Sequence, residues 1–364
     1  MESKTLIEEQ SPLCPIVAFV EESNQCVYFY LMEHPDSEAR RFRTVWVRNY
    51  GEAPDDISSV EDMRSGLPPR LPASFCAHPD GAEKLSPEKL EIVWFEEGDA
   101  AALLYEEDVL AVIPGWGGND EYPGYARDCI GMAPYGMPLG DPSENVLFKR
   151  VEQARQFWQS WDEESWPQLQ ASLLQAIENS LGKHTKYYAI DGGSWPPRAM
   201  ITIEQGDITY VVTVGVSLVP QPVVEQYTEE PEKHRRIELA LALPTVLLQQ
   251  NEQGILQYIS GLPNIPWQQI TWIGHGHTIN SDQFSGDEEF TAILLVQSPE
   301  HAPHIPFASY RGDDISLLWM VPITEAEHEY AMQNSSMKLL QKAKETTADS
   351  LWLFDGQAKF SLSR

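Results

Sequence analysis

Basic residues are scarce in this chain. Lys and Arg total 25 against 55 Asp and Glu in 364 residues, a formal charge of −30. A surface of that sign repels phosphate backbones, so nucleic acid is not expected as a direct partner, whereas a basic protein would be drawn to it. Long apolar runs are missing too. The longest, at residues 237–248, is interrupted by Glu238 and Pro244 and is not a membrane span. No basic stretch followed by an apolar one opens the chain, so no secretory signal is expected. The four cysteines (Cys14, Cys26, Cys76, Cys129) lie in the first 130 residues without C-x-x-C spacing. They support neither a zinc ribbon nor a disulfide framework, and the simplest compartment is the reducing cytoplasm.

Signatures of catalysis are thin. The phosphate-loop pattern G-x-x-x-x-G-K followed by Ser or Thr does not occur. Gly215-Val216-Ser217-Leu218-Val219 fails G-x-S-x-G at its last position and lies in a strand-like run rather than at a strand-to-helix elbow. Cys76-Ala77-His78 is the nearest approach to an activated thiol, and its place in a Pro-rich loop makes it incidental. No cofactor is expected.

What is present is a core. Hydrophobic residues make up 42% of the chain and aromatics 10%, enough for one large or two ordinary domains. Residues 16–20, 27–31 and 43–47 read as a small β-meander, and a Pro-rich stretch from 53 to 87 then breaks regular structure. Strand character returns at 91–95 and 109–113. The loop 114–128 that follows is rich in Gly and aromatics and marks the seam between an N-terminal strand-rich module, 1–140, and the remainder, 141–364.

Asp141-Pro142-Ser143-Glu144 reads as a helix start, with Leu147, Val151, Ala154 and Phe157 on one face. A second helix is expected from Ser165, with Leu169, Leu173, Ile177 and Leu181 inward and Gly182 closing it. Beyond residue 200 strands dominate: 200–204 and 208–218 as a hairpin, then 237–243, 271–273, 290–296 and 315–322. The charged stretch 229–236 is expected to be an exposed loop. Thr324-Glu325-Ala326-Glu327 forms a capping box opening a helix to about 342. Short gaps favour a mixed, largely antiparallel sheet flanked by helices, an α+β fold with an additional N-terminal α+β module.

Two clusters could recognise something. Trp116, Tyr122, Tyr125 and Arg127, with Asp128, could line a concave site in the Gly-aromatic loop, since Trp, Tyr and Arg dominate interface hot spots. A small-molecule site centred on that loop is a further reading. Trp272, His275 and His277 form the second cluster. On an extended segment, histidines two apart project to one side, as some metal hydrolases require, and Asp282, Asp287, Glu288, Glu289, His301 and His304 could add ligands. Against a metal, the (β/α)₈ alternation that frames such pairs is missing. Gly274 and Gly276 suit a tight backbone path.

The order of blocks from Tyr210-Val211-Val212-Thr213-Val214, through Arg236-Ile237-Glu238-Leu239 and Trp272-Ile273-Gly274-His275-Gly276-His277-Thr278, to Val321-Pro322-Ile323-Thr324-Glu325-Ala326-Glu327 resembles the suppressor-of-fused domain over about residues 165–345. The resemblance implies a mixed sheet flanked by helices and a protein-binding role. Animal members of the family clamp an extended peptide by strand addition between two lobes, restraining a transcription factor. The compact arrangement here is similar to the bacterial branch, whose members are proposed to act as immunity proteins against toxins. The resulting expectation is a non-catalytic, cytoplasmic inhibitor that sequesters another protein, a basic toxin fitting the charge. The alternative is a metal-dependent hydrolase using His275 and His277.

Overall fold

Side-chain alternation carries the first fifty residues into an antiparallel meander in the computed structural model, which describes residues 3–56, 68–118, 122–161, 165–286, 289–343 and 350–362. Its strands, β1 (Lys4–Gln10), β2 (Ile16–Glu22), β3 (Cys26–Glu33) and β4 (Arg41–Asn49), lie in chain order. β1 adds an edge that its charged residues conceal in the sequence. A second sheet follows: β5 (Leu90–Trp94), β6 (Ala101–Tyr105), β7 (Asp108–Ile113), β8 (Tyr125–Ala126) and β9 (Met137–Pro138), again in chain order.

The chain divides into two compact units. The first comprises Met1–Trp161 with the short returns Glu225–Thr228 and Trp267–Ile270. The second comprises Asp162–Val224, Glu229–Pro266 and Thr271–Arg364. The division falls later than residue 140 because α1 (Val146–Gln159) belongs to the first unit. It buries Leu147, Val151 and Ala154 with Val93, Phe95 and Ala102. Each Leu or Val so covered contributes about 1.5–3 kcal/mol. The cap of α1 also differs from expectation. Asn145, not Asp141, accepts the N–H of Leu147, at 3.0 Å, while Asp141 closes a local turn by accepting the N–H of Ser143 at 2.8 Å.

In the second unit α2 (Ser165–Leu181) buries the expected Leu169, Leu173, Ile177 and Leu181 and ends at Gly182 with φ +91°. The sheet comprises β10 (Lys186–Ala189), β11 (Ala199–Gln205), β12 (Ile208–Val214) and β13 (Arg236–Pro244). After α3 (Thr245–Gln250), α4 (Glu252–Gly261) and α5 (Ile265–Gln269), whose last three residues belong to the first unit, come β14 (Thr278–Asn280), β15 (Phe290–Gln297) and β16 (Ile315–Thr324). The spatial order is β10-β11-β12-β13-β16-β15-β14, antiparallel except for the parallel central pair β13–β16. Both faces of β13 are covered, so its Leu-Ala-Leu-Ala-Leu run shows no polar alternation.

Two expected strands fall short. The run 208–218 stops at Val214, because Gly215 turns to φ +100° and a Cβ there would stand 2.6 Å from the Trp166 ring. Residues 271–273 are not a strand at all. The capping box at Thr324 forms as expected and opens α6 (Glu325–Asn334), with Glu327 Oε2 accepting the Thr324 N–H at 2.8 Å. The helix does not continue to 342. Ser335, at φ +139°, interrupts it and caps the short α7 (Ser336–Leu340).

Candidate protein-binding surfaces

In the first unit the Gly-aromatic loop separates into buried and displayed parts. Trp116 and Tyr125 pack against the cluster that holds Val93, Phe95 and Leu147, so their rings serve the core. Tyr122 is 56% exposed. Gly124 is buried where a Cβ would meet the Val112 carbonyl at 2.5 Å, so the chain passes there only as glycine. Arg127 is exposed and lies 3.6 Å from Asp108 and 3.5 Å from Asp128. Asp128 is buried and bound by Arg48 at 2.9 and 3.0 Å. The loop therefore presents Tyr122 and Arg127 to solvent. Residues 119–121 lie outside the described residues.

In the second unit Trp272, His275 and His277 do come together, on a tight turn rather than an extended segment. Ile273 is fixed main chain to side chain by Gln221, whose Oε1 accepts the Ile273 N–H at 2.9 Å while its Nε2 donates to the Ile273 carbonyl at 3.1 Å. The His277 N–H then donates to the Gly274 carbonyl at 3.1 Å, and Gly276 takes φ +86°. The His277 ring meets the Trp272 ring edge-on at 4.6 Å. His275 Nδ1 accepts the Gln297 N–H at 3.1 Å, which commits one of its two ring nitrogens. Burial pushes the pKa of both histidines down, so both favour the neutral form.

The turn removes the geometry on which a metal pair rests, since side chains two apart share a direction only on extended backbone. Among the described residues, no group of three or more His, Cys, Asp or Glu is placed to hold a metal ion. Asp287 and Glu288 lie outside the described residues, and His301 pairs with Glu300 at 3.6 Å.

The most heavily constrained polar groups are ones that sequence reading passed over. Arg236, expected in an exposed loop, is wholly buried. Its Nε donates to Asp313 Oδ2 at 2.7 Å, and its Nη1 donates to the Leu218 carbonyl at 2.7 Å. Glu238 is likewise fully buried and accepts from Thr213 Oγ1, Gly215 N, Ser217 N and Ser217 Oγ at 2.6–3.1 Å. The available signal was a lone acid inside an apolar strand, the pattern of a satisfied buried carboxyl.

The sheet has two edges. At β14 the Tyr258 hydroxyl donates to the Asn280 carbonyl at 2.9 Å, and a cavity of about 740 Å³ lined by Tyr258, Asp282, Phe284 and Glu289 lies beside it. At β10 the rim is more open, with Lys186, Tyr187 and Ala189 exposed. The Ile190 N–H donates inward to Arg198 at 2.9 Å, in register with Tyr188 opposite Met200. Main-chain groups alternate along an antiparallel strand, so those of Tyr187 and Ala189 face away from β11.

Residues 194–356, just under half of the chain, match the family model described as Suppressor of fused protein (SUFU). This match supports the suppressor-of-fused resemblance for the second unit, most of whose sheet it covers. A solved structure titled "the Sufu-Fu complex crystal structure" aligns over 54% of this chain and 91% of its own, at 12% identity and a TM-score of 0.36, too slight a likeness to argue from. No curated protein matches the chain.

Proposed function

We propose that this protein is a non-catalytic binding regulator that captures an extended segment of another protein on the β10 edge. The observation that carries this reading is the outward-facing main chain of Tyr187 and Ala189 on an exposed strand, which pairs with β11, the first strand of the residues 194–356 that match the suppressor-of-fused model. Such an edge gives affinity through main-chain hydrogen bonds, while side chains beside it set sequence choice. Tyr122 and Arg127, and the turn bearing Trp272, His275 and His277, are the further surfaces offered for contact. The charge of −30 favours a basic partner. Under this reading the protein is an immunity-type inhibitor of a basic toxin, acting in the bacterial cytoplasm.

Proline tests the edge directly. Tyr187→Pro and Ala189→Pro each remove an outward N–H without touching the hydrogen bonds to β11, a placement that edge strands accept. Capture of the stoichiometric partner by the tagged chain should fall about tenfold or more, with little change in melting temperature. Undiminished capture by both variants would remove the edge from the mechanism. Recovery of the chain alone from its native lysate would remove the binding role.

A further inference from the structure

Cys76 and Cys129, about fifty positions apart in the sequence, face each other across an isolated antiparallel bridge. The Ala77 N–H donates to the Asp128 carbonyl at 2.8 Å, and the Ile130 N–H donates to the Phe75 carbonyl at 2.9 Å. These two bonds flank the cysteines, so the pair occupies a non-hydrogen-bonded position, where opposed Cα atoms stand about 4.5 Å apart and the side chains are close. A disulfide forms most readily with Cα atoms about 4.4–6.8 Å apart. The geometry needed for a cross-strand link is therefore set by the backbone register.

All four cysteines are free thiols. Cys76 Sγ donates to the His78 carbonyl at 3.4 Å, and Cys129 Sγ donates to the carbonyls of Gly131 and Gly136 at 3.0 and 3.2 Å. Cys14 and Cys26 are engaged elsewhere, against the Glu97 carbonyl and against Ser23 with the carbonyls of Pro68 and Pro69. The bridge lies just beneath the surface: both cysteines are buried, yet Ile130 next to Cys129 is 61% exposed and His78 is exposed as well.

We propose that Cys76 and Cys129 are an oxidation site, a dithiol that closes to a cross-strand disulfide on meeting a small-molecule disulfide such as glutathione disulfide. One cysteine, as thiolate, attacks a sulfur of the oxidant. The oxidant's S–S bond breaks, a mixed disulfide forms and the first glutathione leaves as thiolate. The second cysteine, also as thiolate, attacks the protein sulfur of the mixed disulfide and expels the second glutathione. Two protein thiols are oxidised, one glutathione disulfide is reduced to two glutathiones, and the two protons pass to the leaving thiolates. Burial raises the pKa of both cysteines, which keeps the resting pair as thiols and makes closure slow at neutral pH. Closure ties the Ala73–Phe75 turn to the end of the Gly-aromatic loop, beside Arg127 and Asp128.

The test uses the full chain, equilibrated with graded ratios of reduced to oxidised glutathione, then alkylated in denaturant and peptide-mapped. The expected result is loss of two of the four alkylatable thiols, one cross-linked peptide joining Cys76 to Cys129, and Cys14 and Cys26 still alkylated. Cys76→Ser and Cys129→Ser should each abolish the cross-link at the same ratio, with thermal melts confirming the fold. Four alkylatable thiols at the most oxidising ratio, or a cross-link that includes Cys14 or Cys26, would overturn the assignment. The wild-type map decides it even where a variant folds poorly, and the result does not depend on partner capture.

Discussion

Glu238 shows how one residue can organise the centre of a sheet. Its carboxyl lies in the fully covered strand β13 and collects four donors from the segment 213–217, which holds the Gly215 turn in place. Glu238→Ala would leave those donors without an acceptor, and is expected to cost about 3 kcal/mol in denaturant unfolding. Glu238→Gln keeps the shape and should cost about 1 kcal/mol or less. Burial outweighs the four donors and pushes the Glu238 pKa up from its ordinary 4.5. A raised acid favours folding fully below that ordinary value, and the contribution is lost as pH rises through the folded value. Unfolding free energy measured from pH 4 to 8 should therefore carry a downward component in the wild type that Glu238→Gln lacks. An equal slope in both proteins would mean that another group titrates. The histidines make a complementary case. Their residue types stood out in the sequence, but the decisive fact, a Gly-supported turn clamped by Gln221, depends on a partner about fifty positions away.

Caps decide where the helices begin, and α1 offers a clean comparison. Asn145→Ala should lower stability by about 1 kcal/mol, whereas Asp141→Ala should leave it nearly unchanged. A larger loss for Asp141→Ala in chemical denaturation would restore the earlier start. The capping box at Thr324 and the bodies of both long helices were legible because their signals are local: a Thr-x-x-Glu pattern, apolar faces at helical spacing and, for α2, a closing glycine. A strand with one covered face, such as β2, was legible by alternation. The missed strands lacked that contrast. β6 (Ala-Ala-Leu-Leu-Tyr) is buried on both sides, and β1 is mostly exposed and charged. The truncation at Gly215 arises from the Trp166 ring, and the cross-strand meeting of Cys76 and Cys129 from a register between distant segments. Neither can be read from spacing alone. The aromatic loop was legible as unusual, but not which of its rings turn inward.

At the scale of the whole chain, net charge governs encounter more than fit. With −30 spread over 364 residues, association with a basic partner should slow about tenfold or more between 50 and 500 mM salt, while dissociation changes little. A salt-independent association rate would remove the electrostatic preference. No helix among the described residues is long and apolar enough to cross a membrane. The parallel pair β13–β16 has a consequence for biosynthesis. β10 through β13 can assemble as a meander as soon as they emerge, but the strand that completes the centre of the sheet is encoded far downstream. At about 5–20 residues per second, the roughly 70 residues separating the two strands take roughly 3.5–14 s to translate. Through that interval the Leu-Ala-Leu-Ala-Leu strand is the unprotected rim of a half-sheet on the ribosome, and the nascent chain must be shielded there before it can fold.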